Sequence, residues 1–71
     1  MQTEKVSRLR GLREARGMSL AELSKLSNIE ASSVSRIERY QMPTLGDARA
    51  LARALGVTVD FLWPEDEEQA S

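Results

Sequence analysis

The side chains with the longest reach in the middle of this chain lie in ASSVSRIER, residues 31–39. At about 100° per residue, Val34 and Ile37 define one side of a helix there, and Ser32, Ser35, Arg36 and Arg39 fall on the other. That second side offers hydroxyls, which both donate and accept, and guanidiniums, which donate in a planar fork. Ala31 and Ser33 add short side chains at its leading end. Groups of this kind recognise acceptors and anions; they do not form a nucleophile–base pair. The chain has no His and no Cys, so it lacks the usual general base, a thiol nucleophile, a Cys-based zinc site and any disulfide. Asp and Glu occur, but in no metal or acid–base constellation and on no scaffold large enough for a cleft. No enzyme activity, cofactor or metal is expected.

Short side chains recognise only when something rigid presents them, and the chain as a whole reads as five helices. No strand-like alternation precedes the end. Helix one is expected from about Glu4 to Arg16, with Val6, Leu9 and Leu12 on one face and Gly17 in the left-handed position that ends a helix. Helix two opens at Ser19, where SLAE forms a capping box between Ser19 and Glu22, and Leu20, Leu23 and Leu26 follow. Helix three covers roughly Ala31 to Arg39. SNIE at 27–30 also fits a capping box, but Asn28 is better used in a turn. Helix four opens at Thr44, where TLGD repeats the capping logic with the shorter Asp47; its face is Ala48, Leu51, Ala52 and Leu55, and Gly56 ends it. Thr58 caps a last turn, VDFLW, closed by Pro64. Residues 1–64 are therefore expected to form the domain, and residues 65–71, EDEEQAS, an acidic and disordered tail.

Helices two and three obey one geometric model. In a twenty-residue unit from Leu20 to Arg39, Leu23, Ile29, Val34 and Ile37 are the apolar positions that seat one helix on the other. Ser24 is small where the helices cross. Asn28 stands at the turn, where positive φ favours Gly and then Asn. Six constraints at fixed spacing define a helix-turn-helix. With these residues, GLREARGMSLAELSKLSNIEASSVSRIER (11–39) resembles the Cro/repressor-type (XRE) helix-turn-helix family of phage repressors and small bacterial regulators. PTLGDARALARALGVTVDFL (43–62) resembles the last two helices of the same family. The resemblance implies an all-α, five-helix, lambda-repressor-like domain with its helix-turn-helix at helices 2 and 3, binding operator DNA as a homodimer.

On that reading, Ala31, Ser32, Ser33, Ser35 and Arg36 meet base edges in the major groove. The Ala31 methyl suits a thymine methyl, the serines suit several bases, and Arg36 suits guanine. The amides opening helices two and four, with the Ser19 and Thr44 hydroxyls, suit phosphates. The resemblance adds Arg39, Tyr40 and Gln41, which stand where the family's loop meets the DNA backbone. Glu38 falls near the inner edge of helix three, where an ionised carboxylate needs a partner; the resemblance implies Arg13. The family commonly has Gln where Leu20 stands, a longer polar reader where Ala31 stands, and Gly where Tyr40 stands. Specificity then leans on Arg36 and on DNA shape. Phe61, Leu62 and Trp63 form an apolar end cluster expected to make the dimer contact, although Trp63 equally suits core packing.

The net charge of −1 conceals an asymmetry. Lys5, Arg8, Arg10, Arg13 and Arg16 outnumber Glu4 and Glu14 at the front, and Glu65, Asp66, Glu67 and Glu68 crowd the tail. A basic front permits an anionic partner, although solvated helix charge is the ordinary reading. The expected partners are double-stranded DNA and a second copy of the chain, with RNA polymerase or another regulator facing Glu22 and Glu30 as a further candidate. No small-molecule ligand is expected, because no effector domain is evident. The alternative is a protein-binding module on the same fold, an antitoxin or antirepressor component, which Leu20 and the acidic tail favour. No apolar run approaches the roughly 18 residues of a membrane span, and MQTEKVSRLR lacks the apolar stretch of a signal peptide. The expected location is the cytoplasm.

Overall fold

Each helix is delimited by a residue that supplies either a side-chain cap or a left-handed turn. The computed structural model describes residues 7–64. They form α1 (Arg8–Ala15), α2 (Leu20–Ser27), α3 (Ala31–Tyr40), α4 (Leu45–Leu55) and α5 (Val59–Leu62), with no strand among them. The Ser19–Glu22 capping box forms in both directions. The Ser19 hydroxyl accepts from the Glu22 amide at 3.0 Å and the Glu22 carboxylate accepts from the Ser19 amide at 2.8 Å. Thr44 and Thr58 cap α4 and α5 by accepting from the amides of Asp47 and Phe61. At α4 only that half of the box is made among the described residues, the Asp carboxyl being one methylene shorter than Glu. Gly17, Asn28, Gln41 and Gly56 take positive φ. Asn28 at φ 63 turns the chain between α2 and α3, and α3 begins only at Ala31, so SNIE is not a helix start.

The core is a single cluster of Leu9, Leu23, Val34, Ile37, Leu51, Ala52, Leu55 and Leu62. Helix α2 packs against both α3 and α4, α4 against α5, and α5 closes back on α1. The expected α4 face of Ala48, Leu51, Ala52 and Leu55 is buried throughout. The Ser24 hydroxyl donates to the Ile29 carbonyl at 2.6 Å. Its small side chain therefore also satisfies a carbonyl in the turn, besides letting the helices approach.

Two expectations are corrected. Helix α1 does not run continuously from Glu4 to Arg16. Ser7 is extended and its hydroxyl accepts from the Arg10 amide, so the helix starts at Arg8, and Arg16 is already its C-cap. Glu4, Lys5 and Val6 lie outside the described residues, as does the acidic stretch 65–71. Helix α3 runs one residue further than Arg39, to Tyr40, because Gln41 takes the left-handed cap. Leu26 is exposed and lies off the α2 inner face. That inner face is Leu23 and Ser27, and the Ser27 hydroxyl satisfies itself on the Leu23 carbonyl at 2.8 Å.

The turn at Asn28 gives a direct check. Asn28→Gly should leave the denaturation midpoint nearly unchanged, whereas Asn28→Val should cost about 1–2 kcal/mol, the penalty for a left-handed backbone with a Cβ branch. Equal stability of the two variants in urea would contradict the positive φ.

Candidate nucleic-acid interface

The rotation of α3 is set by a buried charge. Glu38 is 8% exposed, and an ionised carboxylate at that depth needs a cation and hydrogen bonds. Arg13 supplies both in a fork. Its Nε donates to Glu38 Oε2 at 2.7 Å and its Nη2 to Oε1 at 3.2 Å. Its Nη1 donates to the Met18 carbonyl at 2.8 Å. One guanidinium thus ties α1, the α1–α2 connection and α3 together. The hydrogen bond to Glu38 raises the Arg13 pKa above its ordinary value, against the opposing effect of burial, so the cation is held charged.

With Val34, Ile37 and Glu38 inside, the opposite side of α3 is free. Ala31, Ser32, Arg36, Arg39 and Tyr40 are exposed, and Ser33 and Ser35 are half-buried. Arg36 and Arg39 have no carboxylate partner among the described residues. The Arg39 guanidinium lies over the Tyr40 ring, 5.3 Å from its centroid, which restrains a long side chain at the end of the helix. Gln41 and Thr44 are exposed just beyond. The hydroxyl oxygens of Ser19 and Thr44 accept from cap amides, and each O–H still has a proton to donate. The two helix starts differ, however. At α2 the Glu22 carboxylate already occupies the Ser19 amide, so an incoming anion meets a negative charge there.

Among the described residues, the arginines of the basic front are engaged by other groups of the chain. Arg8 donates to the Phe61 carbonyl at 3.4 Å and stacks over the Phe61 ring at 5.5 Å. Arg16 donates to the Leu55 carbonyl at the end of α4. Arg10 bridges to Glu14 at 3.0 Å. Charge counting from sequence cannot separate cations that bind a partner from cations that cap helices. Leu62 is 1% exposed and belongs to the core, so it has no surface to offer a second copy. Phe61 is exposed and Trp63 half-buried against the core.

One group escaped the sequence reading. A cleft of about 420 Å³ opens where α1, α2 and α3 meet, with Arg10, Arg39, Ser7, Ser35 and Leu20 around the Arg13–Glu38 pair. Arg10 was legible only as part of the basic front. The available signal was its position one helical turn before Arg13 and Glu14. No group of His, Cys, Asp and Glu able to hold a metal exists among the described residues.

A family model described as helix-turn-helix (HTH_3) matches residues 9–62. The chain belongs to this Cro/C1-type helix-turn-helix family. It is similar to the N-terminal DNA-binding domain of SinR from Bacillus subtilis, at 29% identity and a TM-score of 0.74 over 84% of this chain and 90% of that one. A solution structure of the same domain, described as that of the master biofilm regulator, gives 30% identity and a TM-score of 0.71 over 83% and 88%. A chain from the SinR–SinI protein complex gives 30% identity and a TM-score of 0.74 over 87% of this chain, which spans only 62% of that longer one. Curated protein sequences give no match.

Removing one partner of the buried pair should be severe. Glu38→Ala strands the Arg13 cation and should cost about 3–5 kcal/mol in urea denaturation, while a paired Arg13→Met, Glu38→Leu change should recover most of it. A Glu38→Ala midpoint equal to wild type would show that the pair does not hold the helices.

Proposed function

We propose that this helix-turn-helix protein is a sequence-specific, DNA-binding transcription regulator that represses by occupying a two-fold symmetric operator as a homodimer, with α3 in the major groove. The observation that carries the reading is the outward side of α3, where Ser32, Arg36 and Arg39 are exposed directly opposite the locked Val34, Ile37 and Glu38. Arg36 is the reader, bidentate on guanine O6 and N7, worth about 1–3 kcal/mol of discrimination. Ala31, Ser32, Ser33 and Ser35 are short enough to let the helix approach the base edges, Ala31 against a thymine methyl and the serines as adaptable donors and acceptors. Arg39, Tyr40, Gln41, Ser19 and Thr44 hold phosphates, with the start of α4 preferred over that of α2 because it lacks a bound carboxylate on its cap amide. The likeness to the SinR DNA-binding domain supports the same reading.

A dimer follows from the spacing of major-groove half-sites, about 34 Å apart on one face of the duplex. Phe61 and Trp63 at the end of α5 are its apolar contact, with Leu62 inside each protomer. A second reading, a protein-binding module, is favoured by one observation. Leu26 is 59% exposed beside Met18, Glu22 and Lys25 in a shallow groove.

Binding to duplex DNA should weaken steeply as salt rises. Arg39→Ala should flatten the log–log slope by about one unit on any sequence, and Arg36→Ala should erase preference at one guanine per half-site. Wild-type protein that ignores both random and selected duplex at low salt would leave the protein-binding reading in place. Sedimentation should show a concentration-dependent dimer that Phe61→Ala weakens; a strictly monomeric wild type would remove the dimer from the account.

A further inference from the structure

The cleft beside α3 carries more positive charge than its own residues consume. Three guanidiniums, those of Arg10, Arg13 and Arg39, line it against the single carboxylate of Glu38. Arg13 and Glu38 satisfy each other in a fork; Arg39 has no carboxylate partner among the described residues, and Arg10 is held only by an exposed pair with Glu14. Ser7 and Ser35 also line the cleft; Ser7 is buried with its hydroxyl accepting from the Arg10 amide, and Ser35, half-buried, belongs to α3. Leu20, on the α2 wall, can donate nothing. A concave site with two exposed guanidiniums, one from α1 and one from α3, suits a single oxyanion, because each helix supplies a planar donor fork.

We propose that Arg10 and Arg39 clamp one phosphate of the DNA backbone in this cleft, and that Glu14 competes with that phosphate for Arg10. The proposal rests on the DNA-binding reading and adds the residues of one contact and a brake on it. In the free protein Arg10 Nε donates to Glu14 Oε2 at 3.0 Å, with both side chains about half exposed, 55% and 51%. Glu14 has a second, longer contact to Arg13 Nη2 at 3.9 Å. An exposed i,i+4 pair of this kind is weak in water. A phosphate approaching between Arg10 and Arg39 gains two guanidiniums and displaces it. Glu14 therefore lowers DNA affinity twice, by holding Arg10 and by repelling the phosphate.

The test is the salt dependence of binding to a random-sequence duplex for wild type, Arg10→Gln, Glu14→Gln and the double variant. Thermal unfolding provides the control that the exposed Arg10 and Glu14 can be changed without unfolding the domain. Arg10→Gln should flatten the slope of log K against log salt by about 0.9 units. Glu14→Gln should tighten binding about two- to fivefold, the range set by releasing one exposed pair. Most of that gain should vanish in the Arg10→Gln background. An Arg10→Gln slope equal to wild type, with wild-type binding intact, overturns the clamp and leaves the DNA-binding reading standing. A Glu14→Gln gain of the same size with and without Arg10 overturns the competition. Wild-type protein that binds no duplex overturns the reading and the clamp together.

Discussion

The Arg13–Glu38 pair fixes which side of α3 faces outward, and the rest of the interface follows from that rotation. A buried ion pair is a poor source of net stability, since desolvation offsets most of the attraction. Its value here is directional. A planar guanidinium that forks onto one carboxylate while donating its remaining edge to the Met18 carbonyl permits very little rotation of either helix. Val34 and Ile37 alone would tolerate a slip of α3 by part of a turn, since apolar contact is not directional. A carboxylate that must meet a fork does not tolerate it.

The arginines divide into two groups with different work. Those of α1 mainly hold the domain together. Arg16 satisfies a carbonyl at the C-terminal end of α4, where a cation also favours the helix dipole, and Arg8 joins α1 to α5 through the Phe61 carbonyl and ring. Those of α3 project outward without a carboxylate partner among the described residues. A protein of net charge −1 can thus present a local positive surface, because what matters is where the unpaired cations stand and not their total. Arg10 lies between the groups, held by an exposed pair with Glu14, and the proposed clamp requires it to exchange that partner.

How much of this was legible depended on whether the information was local. The Ser19 capping box, the left-handed Asn28 and the α4 face are set by neighbours within one turn, and each reads directly from residue type and spacing. Val6, Leu9 and Leu12 keep helical spacing across Ser7, so periodicity alone places the helix start before the Ser7 cap. Leu20, Leu23 and Leu26 repeat every third residue, yet Leu26 is exposed. A helix advances about 300° over three residues, so such a run drifts around the axis, and Ser27 took the inner place. Leu62 and Phe61 are adjacent and both apolar, and only the packing of α5 on α4 and α1 decides which one is inside. Arg10 needed the tertiary meeting of three helices before its cleft existed at all. The outward residues of α3 were legible as a face, and their contacts with DNA remain the proposal.

The small side chains of α3 then have a physical sense. On the proposed DNA-binding reading, a helix bearing long readers stands off from the groove, whereas Ala31 and the serines allow close approach and leave one long donor, Arg36, to discriminate. Specificity built this way draws on groove geometry as well as hydrogen bonds. The most direct test is selection of bound sequences from a random duplex library at about 150 mM salt, which screens weak surface charge. The account predicts a two-fold symmetric motif with one strongly preferred guanine in each half, its centres about one helical turn apart. Folded, soluble protein that enriches no motif would contradict it.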